Sequence, residues 1–211
     1  MMKRYIKAVC LVCLFAIFAS ARADTLAALD VFFQSETFRA NFDQEVYSSE
    51  GQKIDESKGF TLFHRPGRFR WEYVSPEPYL ILTDGLSLLI YDVPLKQAYL
   101  RPTLGTLGKA PLMLLLDKRT AVDDFYIDTI ADNAYADIKE VNWLRLVPKV
   151  DDTDFVYFDI GFKGERLSHL ILYDHFDQHT KIHFYDIQTN PEFKRDYFRI
   201  ELPEDVDVIQ N

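Results

Sequence analysis

Apolar and polar positions alternate with a period of two along most of this chain, the pattern of β-strands with two unlike faces. In Arg65-Pro66-Gly67-Arg68-Phe69-Arg70-Trp71-Glu72-Tyr73 the alternation is plainest: Phe69, Trp71 and Tyr73 share one face, and Arg68, Arg70 and Glu72 the other. The same reading predicts strands over Phe38–Tyr47, Gly59–Arg65, Phe69–Tyr73, Tyr79–Thr83, Leu88–Tyr91 and Gln97–Leu100. It continues with Phe125–Asp128, Asn142–Val147, Phe155–Phe162, Leu167–Tyr173, Lys181–Ile187 and Tyr197–Leu202. Asp84-Gly85 and Lys163-Gly164-Glu165 carry hairpin chemistry between them. Strands at this spacing predict a mainly β fold: a single large curved antiparallel sheet forming an incomplete β-barrel.

Two segments break the pattern. Leu26–Phe33 repeats its apolar positions at helical spacing behind a capping Asp24-Thr25. Ala110–Asp117 places Pro111 in a first helical turn and follows it with Leu112, Met113, Leu114, Leu115 and Leu116. A helix apolar on every side must be buried or face a cavity. Gly105 and Gly108 lead into it, an approach that suits a movable lid. The two short helices together are expected to cover the sheet.

The first 23 residues read as a secretory signal rather than fold. Lys3, Arg4 and Lys7 precede the apolar run Ala8–Ala19, and Ala21-Arg22-Ala23 supplies the cleavage pattern. An uncleaved anchor is the rival reading, disfavoured because the run is short for a bilayer. Residues 24–211 then form one domain of about 188 residues, exported to the periplasm. Both cysteines, Cys10 and Cys13, leave with the signal, so a large apolar core rather than disulfides must hold the domain together. Removing four basic residues from 24 leaves 20 against 33 acids, a net charge of −13. Such a surface argues against nucleic acid as a partner and against stable membrane insertion or adhesion to anionic lipid. A monomer is expected.

A series of motifs runs through the chain in order: Phe38-x-Ala40-x-Phe42-x-Gln44, Gly59, Arg65 to Tyr73, Pro76, and Asp84-Gly85-x-x-Leu88. Tyr91-Asp92, Gln97, Pro111 with Leu115-Leu116, and Phe198-x-Ile200-x-x-Pro203 with Val206 follow. In this order the set resembles the periplasmic lipoprotein carrier (LolA) family, most strongly from Gly59 to Gln97 and weakly from Thr120 to Asp154. The resemblance implies a half-open barrel under a helical lid, enclosing an apolar cavity for lipoprotein acyl chains. It also implies delivery from an inner-membrane ABC transporter (LolCDE-like) to an outer-membrane receptor (LolB-like). By motif position Arg65 matches the strand arginine that hydrogen-bonds to the lid, and Phe69 the aromatic at the cavity mouth. Some members extend well past the Pro-x-x-Val segment, whereas this sequence stops at Asn211, which leaves open whether the family's terminal hook is present.

The residues allow a physical account of that match. Counted in parity from Phe69, Arg65 falls on the aromatic side, where an unpaired guanidinium costs several kcal/mol. Helix ends offer free carbonyls, so Arg65 is expected to latch the lid. Against this, Pro66 can break the parity and leave Arg65 a solvated turn residue. The expected acyl-chain cavity is lined by Phe63, Phe69, Trp71, Leu82, Ile90, Leu112, Met113, Leu115, Leu116 and Trp143, the plainer reading being ordinary core.

Other chemistries find less support. His175, His179 and His183 would gather around a metal only on a helix, and their surroundings read as strand and turn, so no metal site is expected. Nor is any cofactor. The serine-elbow, zinc-hydrolase and phosphate-loop motifs do not occur, which points away from an enzyme. A sparse basic group, Lys96, Arg101, Lys109, Lys118 and Arg119, could dock an acidic partner or be merely solvated. The function expected is a non-enzymatic periplasmic chaperone for lipoproteins. Its alternatives are a carrier of another lipid or glycolipid and, more remotely, a periplasmic lipid hydrolase.

Overall fold

The structure, a computed structural model, describes residues 25–102, 123–131, 134–150 and 153–210. The expected signal segment and the expected second helix, with Leu112, Met113, Leu115 and Leu116, lie outside the described residues. Helix α1 spans 25–34. Its buried positions are Thr25, Ala28, Leu29, Phe32 and Phe33, one stripe at the i, i+3, i+4, i+7, i+8 spacing that points a helix at a core.

Twelve strands follow: β1 Thr37–Tyr47, β2 Lys53–His64, β3 Arg68–Ser75, β4 Tyr79–Asp84, β5 Ser87–Asp92 and β6 Gln97–Pro102, then β7 Phe125–Ile130, β8 Asn142–Pro148, β9 Tyr157–Lys163, β10 Arg166–Tyr173, β11 His179–Thr189 and β12 Asp207–Gln210. They form one sheet in the order β12-β6-β5-β4-β3-β2-β1-β11-β10-β9-β8-β7. Two antiparallel meanders, β1–β6 and β7–β11, are joined by the pairing of β1 with β11. The sheet stays open, with β12 and β7 at its ends.

The hairpins use the expected residues. Gly85 takes φ 100° while Asp84 Oδ1 accepts the amides of Leu86 and Ser87, both at 2.8 Å. Gly164 takes φ 60° between β9 and β10. Left-handed backbone of this kind costs glycine nothing.

One cluster of buried residues draws on α1, β1–β3, β5 and β7–β11, so the flanks of the sheet meet over one face, called inner here. In a flat sheet, β3 and β11 would lie about 14 Å apart, three strand spacings of ~4.8 Å. The rings of Trp71 on β3 and Phe184 on β11 are nevertheless 6.2 Å apart, which requires the sheet to curl. Gly59 on β2 makes part of that closure possible. A Cβ there would sit 2.7 Å from Phe42 Cζ and 1.9 Å from the Glu72 carbonyl oxygen. With only hydrogen in that place, Phe42 of β1 stacks on Trp71 of β3 at 4.1 Å between centroids.

The last expected strand, Tyr197–Leu202, is not one. Arg195–Phe198 is a 3-10 turn, and residues 199–206 join no strand ladder, turning at 204–205 before β12. The Phe198-x-Ile200-x-Leu202 alternation has a different cause. Phe198, Ile200 and Leu202 lie on the outer face of the first meander, against Leu62, Leu82, Leu89 and Ala98. The twelfth strand is Asp207–Gln210, and it pairs parallel with β6, the one departure from antiparallel pairing among the described residues. Strand β2 also begins earlier than its composition suggests. Lys53–Lys58 is mostly charged and exposed, yet it is held by the ladder to β1.

Candidate functional site

Alternation within β2 sends Phe63 inward and, two residues on, Arg65 after it. His64 pairs with Arg68 across the turn, so Arg65-Pro66-Gly67 forms the connection, and the Arg65 amide is tied to the Glu36 carbonyl at 2.8 Å. The Arg65 side chain therefore meets the C-terminal end of α1, where the final carbonyls have no partner within the helix. Its Nη1 donates to the Phe32 carbonyl at 3.2 Å, to the Ser35 carbonyl and to Ser35 Oγ at 3.1 Å. Ser35 Oγ donates in turn to the Phe32 carbonyl. The guanidinium carbon lies 4.2, 5.1 and 5.8 Å from the ring centres of Phe63, Phe32 and Phe33. A charge among rings and carbonyls of this kind is held by cation–π attraction and charge-assisted hydrogen bonds rather than by water.

Beneath α1 the inner face is a continuous aromatic wall. Phe38 and Phe63 stack at 5.1 Å, and Phe32 meets each edge-on at 5.7 Å. Phe69 and Trp71 follow along β3 at 6.2 Å, and Phe42 bridges Trp71 and Tyr73. The wall turns polar at its far end, where the Tyr73 hydroxyl donates to Gln44 Oε1 at 3.2 Å. Burial raises the Tyr73 hydroxyl above its ordinary pKa, so it remains protonated.

Of the residues expected to line a cavity, Phe63, Phe69 and Trp71 are buried on this inner face, and Ile90 packs against them. Leu82 and Trp143 lie on the other side, and here the expectation is corrected. Leu82 is covered by the C-terminal segment, and Trp143 packs with Tyr135, Val141 and Ile171. In β4 both parities are apolar, so alternation could not choose the inward one; in β8 Arg145 shares the parity of Trp143, and that was the signal for an outward face. Sequence reasoning also passed over Phe32, Phe33 and Ser35, which form the Arg65 seat, and Phe184. The stripe of α1 and the Ile182/Phe184 alternation were the signals for them.

The outer face carries a separate polar centre. Asp159, fully buried, accepts two hydrogen bonds of 2.8 Å from Arg145 and one from the Tyr135 hydroxyl. His169 stacks on His183 at 4.7 Å between ring centres, and burial lowers its pKa to about 4. His175 sits in the β10–β11 turn bound to the Thr153 carbonyl, and His179 stacks on Tyr47. Of the expected basic group, Lys96 pairs with Asp205 at 2.5 Å, while Lys109, Lys118 and Arg119 lie outside the described residues.

The family model of the outer membrane lipoprotein carrier protein LolA matches residues 34–201. The chain belongs to this family. It is 34% identical over 191 residues to the outer-membrane lipoprotein carrier protein of Methylobacillus flagellatus, covering 90% of this chain and 91% of that one. The corresponding protein of Nitrosomonas europaea is 35% identical over 193 residues, with the same coverage. In fold alone, this LolA-family chain is similar to an uncharacterized conserved protein from Thermus thermophilus, with a TM-score of 0.53 at 11% identity. That match covers 88% of this chain and 96% of the other.

Proposed function

We propose that this chain is a non-enzymatic periplasmic carrier of lipoproteins, holding their acyl chains between the inner aromatic wall and a lid that Arg65 fastens. Cargo would arrive from an inner-membrane ABC transporter and leave to an outer-membrane receptor, as the family resemblance implies. The observation that carries the reading is the Arg65 seat, a permanent charge drawn inward to bind the end of a helix that caps an apolar wall.

Energetics explain why a carrier needs such a fastening. Burying one methylene is worth ~0.8 kcal/mol, so a long acyl chain fully buried contributes roughly 10 kcal/mol. Binding of that strength without a counterweight would never release its load. If cargo must displace α1 and break the Arg65 bonds, part of the burial energy is spent on opening, and net affinity becomes modest. Transfer then runs toward any acceptor that needs less opening energy.

Native mass spectrometry of the chain isolated from periplasm tests the reading. A bound acylated polypeptide is expected. Free phospholipid or glycolipid in its place would overturn the lipoprotein assignment in favour of a general lipid carrier. Depletion of the chain should, in parallel, strand lipoproteins at the inner membrane.

A further inference from the structure

The inner wall changes character along its length. Six residue steps along β1 lead from Phe38 to Gln44, about 20 Å of strand at ~3.4 Å per residue. Over that distance Phe38, Ala40 and Phe42 give way to Gln44, just as Phe69 and Trp71 on β3 give way to Tyr73. Register places Ser57 of β2 directly opposite Gln44, on the same face. At the end of the wall remote from Arg65, Gln44 therefore links Ser57, its neighbour across the β1–β2 ladder, to the Tyr73 hydroxyl, and Trp71 lies two residues before Tyr73 on β3.

Two of them lack partners. Ser57 Oγ and Trp71 Nε1 are buried and close no hydrogen bond among the described residues. The Trp71 indole is near enough to the Tyr73 hydroxyl to influence it, but the pair does not reach hydrogen-bond geometry. The Trp71 residue is only 5% exposed. A buried donor left open is costly, and each such donor calls for an explanation, such as a ligand that fills it.

We propose that Trp71 and Ser57, supported by Tyr73 and Gln44, form a subsite for the ester carbonyl of a bound diacylglyceryl group. The inference rests on the carrier reading and adds to it an orientation and a chemical preference. An indole N–H only donates, and a serine hydroxyl can. Both donors are neutral, which suits an uncharged carbonyl oxygen better than a carboxylate or phosphate. Ester carbonyls at this level leave the hydrocarbon tails to run along Phe42, Phe69, Phe63 and Phe38 toward the Arg65 latch. Trp71 thereby acts as a specificity-determining residue as well as a wall.

The test compares a synthetic peptide carrying an ester-linked dipalmitoylglyceryl cysteine with its dialkyl ether twin, which lacks the carbonyls. The wild-type chain is expected to bind the ester about tenfold more tightly, the effect of one buried donor gaining its acceptor. In the Trp71→Phe, Ser57→Ala double variant that ratio should fall to near one, whatever happens to the two absolute affinities. Equal affinities in the wild type would overturn the inference and leave the carrier reading standing. Failure of both ligands to bind would overturn the carrier reading as well. Indole N–H resonances give a second readout that needs no variant. The chain has two tryptophans, and Trp143 on the outer face serves as the internal reference. The ester should move the Trp71 proton downfield and the ether should not; equal movement with both ligands would refute the carbonyl contact.

Discussion

Replacing Arg65 with leucine tests the latch most directly. The change removes charge-assisted hydrogen bonds to the Phe32 and Ser35 carbonyls, each worth ~1.5–3 kcal/mol. It also removes cation–π attraction to Phe63, ~0.5–2 kcal/mol. Leucine recovers about 2 kcal/mol by filling the same apolar seat, and Ser35 Oγ still serves the Phe32 carbonyl. The net loss in docking of α1 is then about 1.5–6 kcal/mol, most of it local because the sheet does not depend on that seat. Amides of α1 should exchange with solvent at least roughly tenfold faster, by the rule of tenfold per 1.4 kcal/mol. Acyl-peptide affinity should rise in the same direction, since cargo no longer works against the latch. A variant that binds more tightly but transfers less to an acceptor is the expected phenotype. Arg65→Lys, which keeps the charge and loses the planar fork, should fall between the two. Hydrogen exchange across 25–34 that matches wild type to within about threefold would refute the latch, whatever the transport assay reported.

Three further predictions concern the scaffold. Gly59→Ala places a methyl 1.9 Å from the Glu72 carbonyl oxygen and into the Phe42 ring, and should lower stability by ~2–3 kcal/mol in urea unfolding; an unchanged midpoint would mean that β2 shifts freely. Asp159→Leu leaves Arg145 without its carboxylate and should cost ~3–5 kcal/mol, whereas pairing it with Arg145→Met should recover most of the loss in thermal unfolding. Burial, with a smaller contribution from the neighbouring His183, depresses the folded pKa of His169 to about 4 from an ordinary 6.5. The unfolded chain therefore takes up this proton first, so the contribution is complete above pH 6.5 and is lost as pH falls toward 4. The full shift corresponds to ~3.4 kcal/mol, and partial exposure of the ring reduces this to about 2 kcal/mol. Stability profiles of wild type and His169→Gln should diverge by that amount between pH 7 and 4, and parallel profiles would refute the assignment.

Local pattern determined much of this protein. Alternation located eleven of the twelve strands, because a half-buried strand must set its side chains to opposite faces. The stripe Ala28, Leu29, Phe32, Phe33 announced α1, and Asp84-Gly85 and Gly164 announced two turns, each through the backbone conformation of single residues. Parity counted back from Phe69 put Arg65 on the aromatic side, and in the structure its side chain follows Phe63 to the inner face. Tertiary structure decided the choices that alternation leaves equal. Leu80-Ile81-Leu82 is apolar on both parities, and Ile81 faces in only because the sheet curls that way while the segment from Phe193 to Val206 covers the outside. Trp143 went outward on the parity of Arg145, under Tyr135. The alternation of Phe198, Ile200 and Leu202 marks a segment lying on a sheet rather than a strand within one, and the partner of β12 is about 110 residues away in the chain. Periodicity is a property of neighbours in sequence; which face becomes the interior depends on what the rest of the chain brings to cover it.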